Sequence, residues 1–258
     1  MRPPSRAPLT IVPTLVSAVC ALLVLRMAVK DSRYLLPLAA IMLVSLVPLW
    51  LARWRMRKIL TSGDVRAILE AWRRSIERVM YPETMAPLMI ATAYASHGWN
   101  DAARTALGRA AKGPAWEAAR EQRLFVETLV ETFEGNSHDS LVKAAELVQL
   151  PLPRKGVLTR RRVAALREGV AALARAFAHA SAPGDEDRLE RAESVSPVVH
   201  WAMRYARAIV AIDHGRAADA RALLLGAPEW PNESAFSSFQ RELDSRLNPS
   251  HEPGGHDG

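Results

Sequence analysis

Histidine is the first residue type to ask for catalytic or metal chemistry, because imidazole titrates near neutrality and ligates divalent metals. The chain has seven: His97, His138, His179, His200, His214, His251 and His256. Only His251 and His256 are close in sequence, and both fall in residues 248–258, whose Pro/Gly-rich composition reads as a disordered tail. His97 and His214 each precede a glycine and read as last-turn helix residues rather than ligands. Glu127, Glu131 and Glu134 recur at helical spacing and read as a solvated or ion-paired surface. No His-Glu-x-x-His, phosphate loop, Gly-x-Ser-x-Gly or dinucleotide fingerprint occurs. Cys20 is the one cysteine, so neither an intrachain disulfide nor Cys/His zinc spacing is available. The sequence therefore predicts no catalytic, cofactor-binding or metal-ligating residue, and no cofactor. The alternative, an enzyme with a helical site free of local motifs, would need a deep polar pocket where histidines and carboxylates converge.

Charge is the next chemistry to weigh. A net charge of +7 and a pI near 10.1 raise nucleic acid as a partner. Position decides against it. Residues 1–62 hold nine basic side chains and one acid, whereas 63–258 hold 25 basic and 26 acidic ones. The excess belongs to the N-terminal region, and no nucleic acid partner is expected. The local exception is Arg154, Lys155 and the run Arg160, Arg161, Arg162. As a basic patch these could contact lipid phosphate or nucleic acid. Cations in the first turn of a helix oppose its dipole, each costing about 0.3–1 kcal/mol if unpaired. Asp185, Glu186 and Asp187 are the internal compensators the sequence offers.

The elements that must carry these residues begin with two apolar runs. Ala7 to Leu25 and Tyr34 to Ala52 are each nineteen residues without a charge. As helices each spans about 28 Å, close to the ~30 Å of a bilayer core. Eight residues, Arg26 to Arg33, separate them, enough for a tight hairpin. Tyr34, Trp50 and Trp54 flank the second run, where amphipathic rings favour the headgroup region. A cleaved leader fits poorly. Arg26-Met27-Ala28-Val29-Lys30 follows the first run instead of a small-x-small site, and Val19 precedes Cys20 where a lipoprotein leader needs a small residue. Residues 1–58 are thus predicted to be a two-helix transmembrane anchor, with spans at about 8–26 and 34–52. Arg2, Arg6, Arg53, Arg55, Arg57 and Lys58 outnumber the loop cations Arg26, Lys30 and Arg33, placing both termini in the cytoplasm by the positive-inside rule. The Arg/Ala-rich composition fits a GC-rich bacterium, hence an inner (plasma) membrane.

Residues 59–247 read as an all-helical soluble domain. Ala, Leu, Arg and Glu dominate, and β-branched runs are absent. Thr61-Ser62-Gly63-Asp64 opens a helix with Val65, Ile68, Leu69, Trp72, Ile76 and Val79 on one face. Further helices are predicted over 83–97, 99–112, 115–134, 138–149, 158–180, 185–194, 197–214, 216–226 and 232–246, separated by Gly and Pro breaks. In the helix from 158, Thr159 is the predicted cap and Leu158 the predicted staple onto Val163.

A self-match at an offset of 117 is the strongest internal pattern. His97-Gly98, Ala103-Arg104, Leu107, Ala110 and Pro114 recur as His214-Gly215, Ala220-Arg221, Leu224, Ala227 and Pro231. Each glycine is expected to end a helix in a left-handed cap, each alanine to admit a close neighbour, and each proline to stop the second helix. These residues resemble a tetratricopeptide repeat. Ile90, Ala91 and Tyr94 occupy the leucine, glycine and tyrosine places of that motif, and Ala103, Leu107 and Ala110 those of its second helix. Pro87 stands where the tryptophan belongs. Ala208 and Ala211 replace glycine and tyrosine in the later copy, as Thr128 and Glu131 do in 115–149. The resemblance implies stacked helical hairpins with a concave partner-binding surface. By that implication the inner face offers Met85, Leu88, Thr92 and Ala95, then Ala202, Tyr205, Ile209 and Ile212 in the later copy. Trp99, following Gly98, is a further contact candidate, whereas Trp116 and Trp230 are expected to pack across hairpins. The function expected is that of a membrane-anchored helical-repeat scaffold binding a protein partner, with no catalytic activity.

Overall fold

The computed structural model describes residues 35–154 and 156–247. It divides into two units, Met1–Met56 and Arg57–Gly258. Every described element is helical: α1 (Leu35–Leu60), α2 (Val65–Ile76), α3 (Pro82–Ala95), α4 (Asn100–Gly108), α5 (Pro114–Ala118), α6 (Arg120–Phe133), α7 (Ser137–Gln149), α8 (Val157–Phe177), α9 (Asp185–Val195), α10 (His200–Asp213), α11 (Ala217–Leu224) and α12 (Ala235–Leu247). No strand occurs among the described residues. The all-α expectation holds.

In the first unit, α1 carries no charged residue from Leu35 to Ala52 and then meets Arg53 and Arg55. Leu43, Val44, Leu46 and Trp50 are all more than half exposed on it. Among the described residues, no helix is long and apolar enough to cross a membrane. The expected span at 34–52 falls on α1 and is not supported as a membrane-crossing helix, whereas the expected span at 8–26 and the tail 248–258 lie outside the described residues.

The second unit is built from helical hairpins. Helices α3/α4, α6/α7, α8/α9 and α10/α11 pair in sequence order. Each first helix also packs on the first helix of the next pair, so α3, α6, α8 and α10 form one layer. A backbone with positive φ ends each first helix: Gly98 (+73°), Gly135 (+81°), His179 (+51°) and Gly215 (+72°). This reversal lets the second helix fold back at once. At Gly98 the requirement is double, because a Cβ there would lie 3.2 Å from the backbone nitrogens of Ala235 and Phe236.

The 117-residue repeat has a common local structure. His97 Nδ1 lies 2.9 Å from the Ala93 carbonyl and His214 Nδ1 2.7 Å from that of Val210. Ala103 and Ala220 are both wholly buried where the second helix meets the first. The prolines act differently from the expectation. Pro114 opens α5, and Pro231 follows α11 by several residues, because α4 and α11 have already ended at Gly108 and Leu224.

Other boundaries shift for identifiable reasons. The helix expected over 115–134 divides at Ala119, whose ψ of +15° breaks the ladder. Thr159 does not cap α8; Gly156 precedes its first residue, and no side chain caps it. Leu158, the expected staple, is 73% exposed. Glu131, read as a surface acid, is buried, where Lys143 Nζ (2.9 Å) and Asn136 Nδ2 (2.7 Å) donate to it.

Residues 60–63 are pinned to the hairpins. Trp201 Nε1 donates to the Thr61 carbonyl at 2.8 Å, and Pro228 and Trp230 crowd Gly63. His97 is buried with its ring in hydrogen-bonding reach of both the Ala93 and Leu60 carbonyls, and burial lowers its pKa below the ordinary 6.5. The folded state thus holds His97 neutral while the unfolded chain takes up a proton below pH 6.5. Stability from this group is complete above that pH and is lost as pH falls towards the depressed value. The slope is at most about 1.4 kcal/mol per pH unit for one proton. Thermal melts between pH 7 and 5 should show this decline, and His97→Gln should flatten it. Glu131, Asp185 and Glu193, all with lowered pKa, contribute losses of the same sign only below the ordinary carboxylate value of about 4.

Candidate partner groove

Helical geometry explains how one face of the first-helix layer comes to be a groove. Residues seven or eleven apart return to the same face, three turns separating the latter. Met85 and Thr92 share a face of α3, Gln122 and Phe133 one of α6, and Leu166 and Phe177 one of α8. Met85, Thr92, Gln122 and Leu166, with Phe125 and Val198, line an open groove of about 430 Å³. Gln122 Nε2 donates to Thr92 Oγ1 at 3.2 Å, tying α6 to α3 across its floor.

The downstream half of the face is filled by the chain itself. Phe236 and Phe239 of α12 sit 5.1 and 6.0 Å (ring centroids) from Phe133, and Phe239 lies 5.0 Å from Phe177. Phe236 stacks on Tyr205 at 5.0 Å, and Trp230 meets it edge-on at 4.9 Å. Trp230 Nε1 donates to Tyr205 Oη at 2.8 Å, and Tyr205 Oη lies 3.3 Å from Gln240 Oε1. Burial in this cluster pushes the Tyr205 phenol well above its ordinary pKa of 10, so it stays a neutral hydroxyl. Ser234 Oγ donates to the His97 carbonyl (2.7 Å) and the Ala235 amide to that of Gly98 (2.8 Å), fixing where α12 begins.

The expected contact residues therefore separate. Met85 and Thr92 line the open groove. Leu88 and Ala95 do not; both are wholly buried. Three residues further along the helix they turn about 60° away from Met85 and Thr92, and Leu88 packs beneath Ala110 and Trp116. Tyr205 and Ala202 are likewise wholly buried, Tyr205 under α12, and Ile209 and Ile212 are half-buried against the same core. Trp99 is half-buried, not free: it packs with Val65, Ile68 and Ala93, its ring 6.0 Å from that of Tyr94. Trp116 and Trp230 are buried. Arg160, Arg161 and Arg162 lie at the surface.

Gln122, Phe125 and Val198 are groove residues that the sequence did not single out, whereas Leu166 belongs with Phe177 to the apolar stripe readable in the helix from 158. The i, i+11 recurrence of Gln122 with Phe133 is a signal for the first of them; nothing local marks Phe125 or Val198 as groove residues.

The buried titratable side chains of this unit are paired within the fold. Arg167, buried, donates to Glu121 Oε1 at 3.1 Å and to the Leu150 carbonyl at 2.5 Å. Asp185, also buried, receives Arg175 Nη2 at 2.6 Å and Arg188 Nη1 at 2.7 Å; burial opposes its ionisation, and those donors overcome it. It is therefore not available to compensate Arg160–Arg162, and Glu186 is taken by Arg216. His179 lies against Asp213 (2.9 Å) and Glu193 against His200 (2.9 Å). Among the described residues no group of three or more His, Cys, Asp or Glu side chains could hold a metal ion. Against known proteins, no family model, curated protein or solved structure matches the chain.

Proposed function

We propose that the chain is a membrane-tethered helical-repeat scaffold, tetratricopeptide-like in build, whose groove receives an apolar amphipathic helix of a protein partner. The supporting observation is α12. The half of the face beyond the groove already holds such a helix through Phe236, Phe239, Leu243 and Leu247, so the surface has the width and apolar lining for helix-in-groove recognition. A non-catalytic role accords with the pairing of Asp185, Glu193 and Arg167 within the fold.

Tethering rests on the uncharged runs 7–25 and 34–52, the exposed apolar side chains of α1 and the Arg53–Lys58 cluster after them. In this reading residues 1–58 anchor the chain in a bacterial inner membrane with the hairpins on the cytoplasmic side. The chain should stay in the membrane pellet through alkaline carbonate extraction; its release into the supernatant would sink the anchor.

The groove is tested in native membranes with a photo-crosslinking residue at Gln122, and for comparison at exposed Glu190. A discrete protein adduct is expected from Gln122 alone. Filling the groove with Ala119→Trp should cut its yield about tenfold, the effect of roughly 1.4 kcal/mol. Equal adducts at both positions, or a Gln122 adduct indifferent to Ala119→Trp, would overturn the groove reading.

A further inference from the structure

One exposed patch has no place in the groove. At the start of α8, Val157 and Leu158 are 64% and 73% exposed. Arg160, Arg161 and Arg162 follow them, all exposed, and Arg154 precedes them. Among the described residues none of these four makes an ion pair, in contrast to Arg104, Arg120, Arg167, Arg175, Arg207 and Arg216. The first turn of α8 contains no acid either. Arg160 therefore stands in the first turn of α8, at the positive end of its dipole, with Arg161 and Arg162 in the next turn, and none of the three is paired among the described residues. Two large apolar side chains stand in water beside them.

We propose that this patch docks on an anionic membrane surface. Lipid phosphates would meet Arg160, Arg161 and Arg162, and Val157 and Leu158 would enter the boundary between headgroups and acyl chains. The pairing of charge with exposed apolar surface selects this occupant. A nucleic acid would neutralise the arginines and leave Val157 and Leu158 in water. A membrane takes both. The proposal draws on the tethering reading only for proximity, since an anchored chain holds the patch at high local concentration beside lipid.

The test uses the full chain with vesicles of phosphatidylcholine alone or with added phosphatidylglycerol, followed by hydrogen exchange of residues 157–163. Each arginine near an anionic surface contributes on the order of fivefold, the equivalent of ~1 kcal/mol. Exchange in this segment should therefore slow tenfold or more with the anionic vesicles and stay unchanged with the neutral ones. Replacing all three arginines by alanine should abolish the slowing; replacing them by lysine should retain most of it. Equal exchange with both lipids overturns the proposal, as does protection by soluble polyglutamate that matches the anionic vesicles, which would mark an acidic protein site. Co-sedimentation with the neutral vesicles reports the anchor separately. A chain that fails to sediment there but shows lipid-selective protection of 157–163 refutes the tether and supports the patch.

Discussion

Phe236→Ala should lower the unfolding free energy by about 3–5 kcal/mol, the range for deleting a fully buried phenylalanine. Phe236 has no exposed surface, and its ring contacts those of Phe133, Tyr205 and Trp230. Those three belong to α6, to α10 and to the loop before α12. The side chain thus joins segments far apart in sequence, and no one of them can collapse into the cavity without leaving the others. Edge-to-face contacts with Phe133 and Trp230 add about 0.5–1.5 kcal/mol each beyond area burial, which favours the upper half of the range. Denaturant unfolding of the full chain measures the loss. Leu225→Ala serves as reference, since Leu225 is 80% exposed and should cost less than about 0.5 kcal/mol. A second consequence concerns the groove. With its main anchor removed, α12 should loosen before the hairpins do, and amides in 235–247 should lose protection from exchange ahead of those in α6 and α8. Equal loss of protection throughout would mean that α12 is part of the core and no occupant of the groove face.

Most of the helices, and the glycine-capped ends of three of the first helices, were legible in the sequence because local chemistry decides them. Gly98 and Gly215 supply the left-handed backbone that a tight reversal needs, and the apolar spacing from Val65 gives α2 directly. The second and third reversals show the limit of that signal. Gly135 was visible as a break, but His179 adopts φ +51° as a non-glycine, held by Asp213 from another hairpin. Nothing near residue 179 encodes that contact. The candidate face was half legible for the same kind of reason. Met85, Leu88, Thr92 and Ala95 all point to one side of α3 on a helical projection. Which 60° of that side meets α4 and α5, and which meets open groove, depends on packing angles that no single helix specifies. Tyr205 was lost to the core because α12 returns across the first-helix layer. The spacing of Phe236, Phe239, Leu243 and Leu247 marks an amphipathic helix, yet not the surface it covers. Arg160–Arg162 present the converse. Their exposure was readable from the sequence, whereas the engagement of Asp185 with Arg175 and Arg188, which leaves them unpaired, was not.

Gly169→Ala should destabilise the hairpins by about 3 kcal/mol, near the upper end of overpacking costs, although alanine is the better helix former by ~1 kcal/mol. Packing wins because of distance. A Cβ at Gly169 would lie 2.2 Å from the Ala192 Cβ and 3.2 Å from the Arg188 carbonyl oxygen. Two methyl carbons need close to 4 Å, so α8 and α9 would have to separate by more than an ångström along their contact. That separation would also stretch the bonds from Arg175 and Arg188 to Asp185, made one to two turns away at 2.6–2.8 Å. A buried carboxylate losing its donors adds a further penalty. Ala192→Gly removes the opposing methyl group. Alone it should cost about 1 kcal/mol or more, from helix propensity and the vacated volume. Combined with Gly169→Ala it moves the methyl group from α9 to α8 and should restore most of the loss. A double-mutant cycle read by denaturant unfolding should therefore give a coupling energy of at least about 1.5 kcal/mol in the compensating direction. Additive losses would show that the α8–α9 contact tolerates the extra methyl and that close approach at Gly169 does not set this hairpin's geometry.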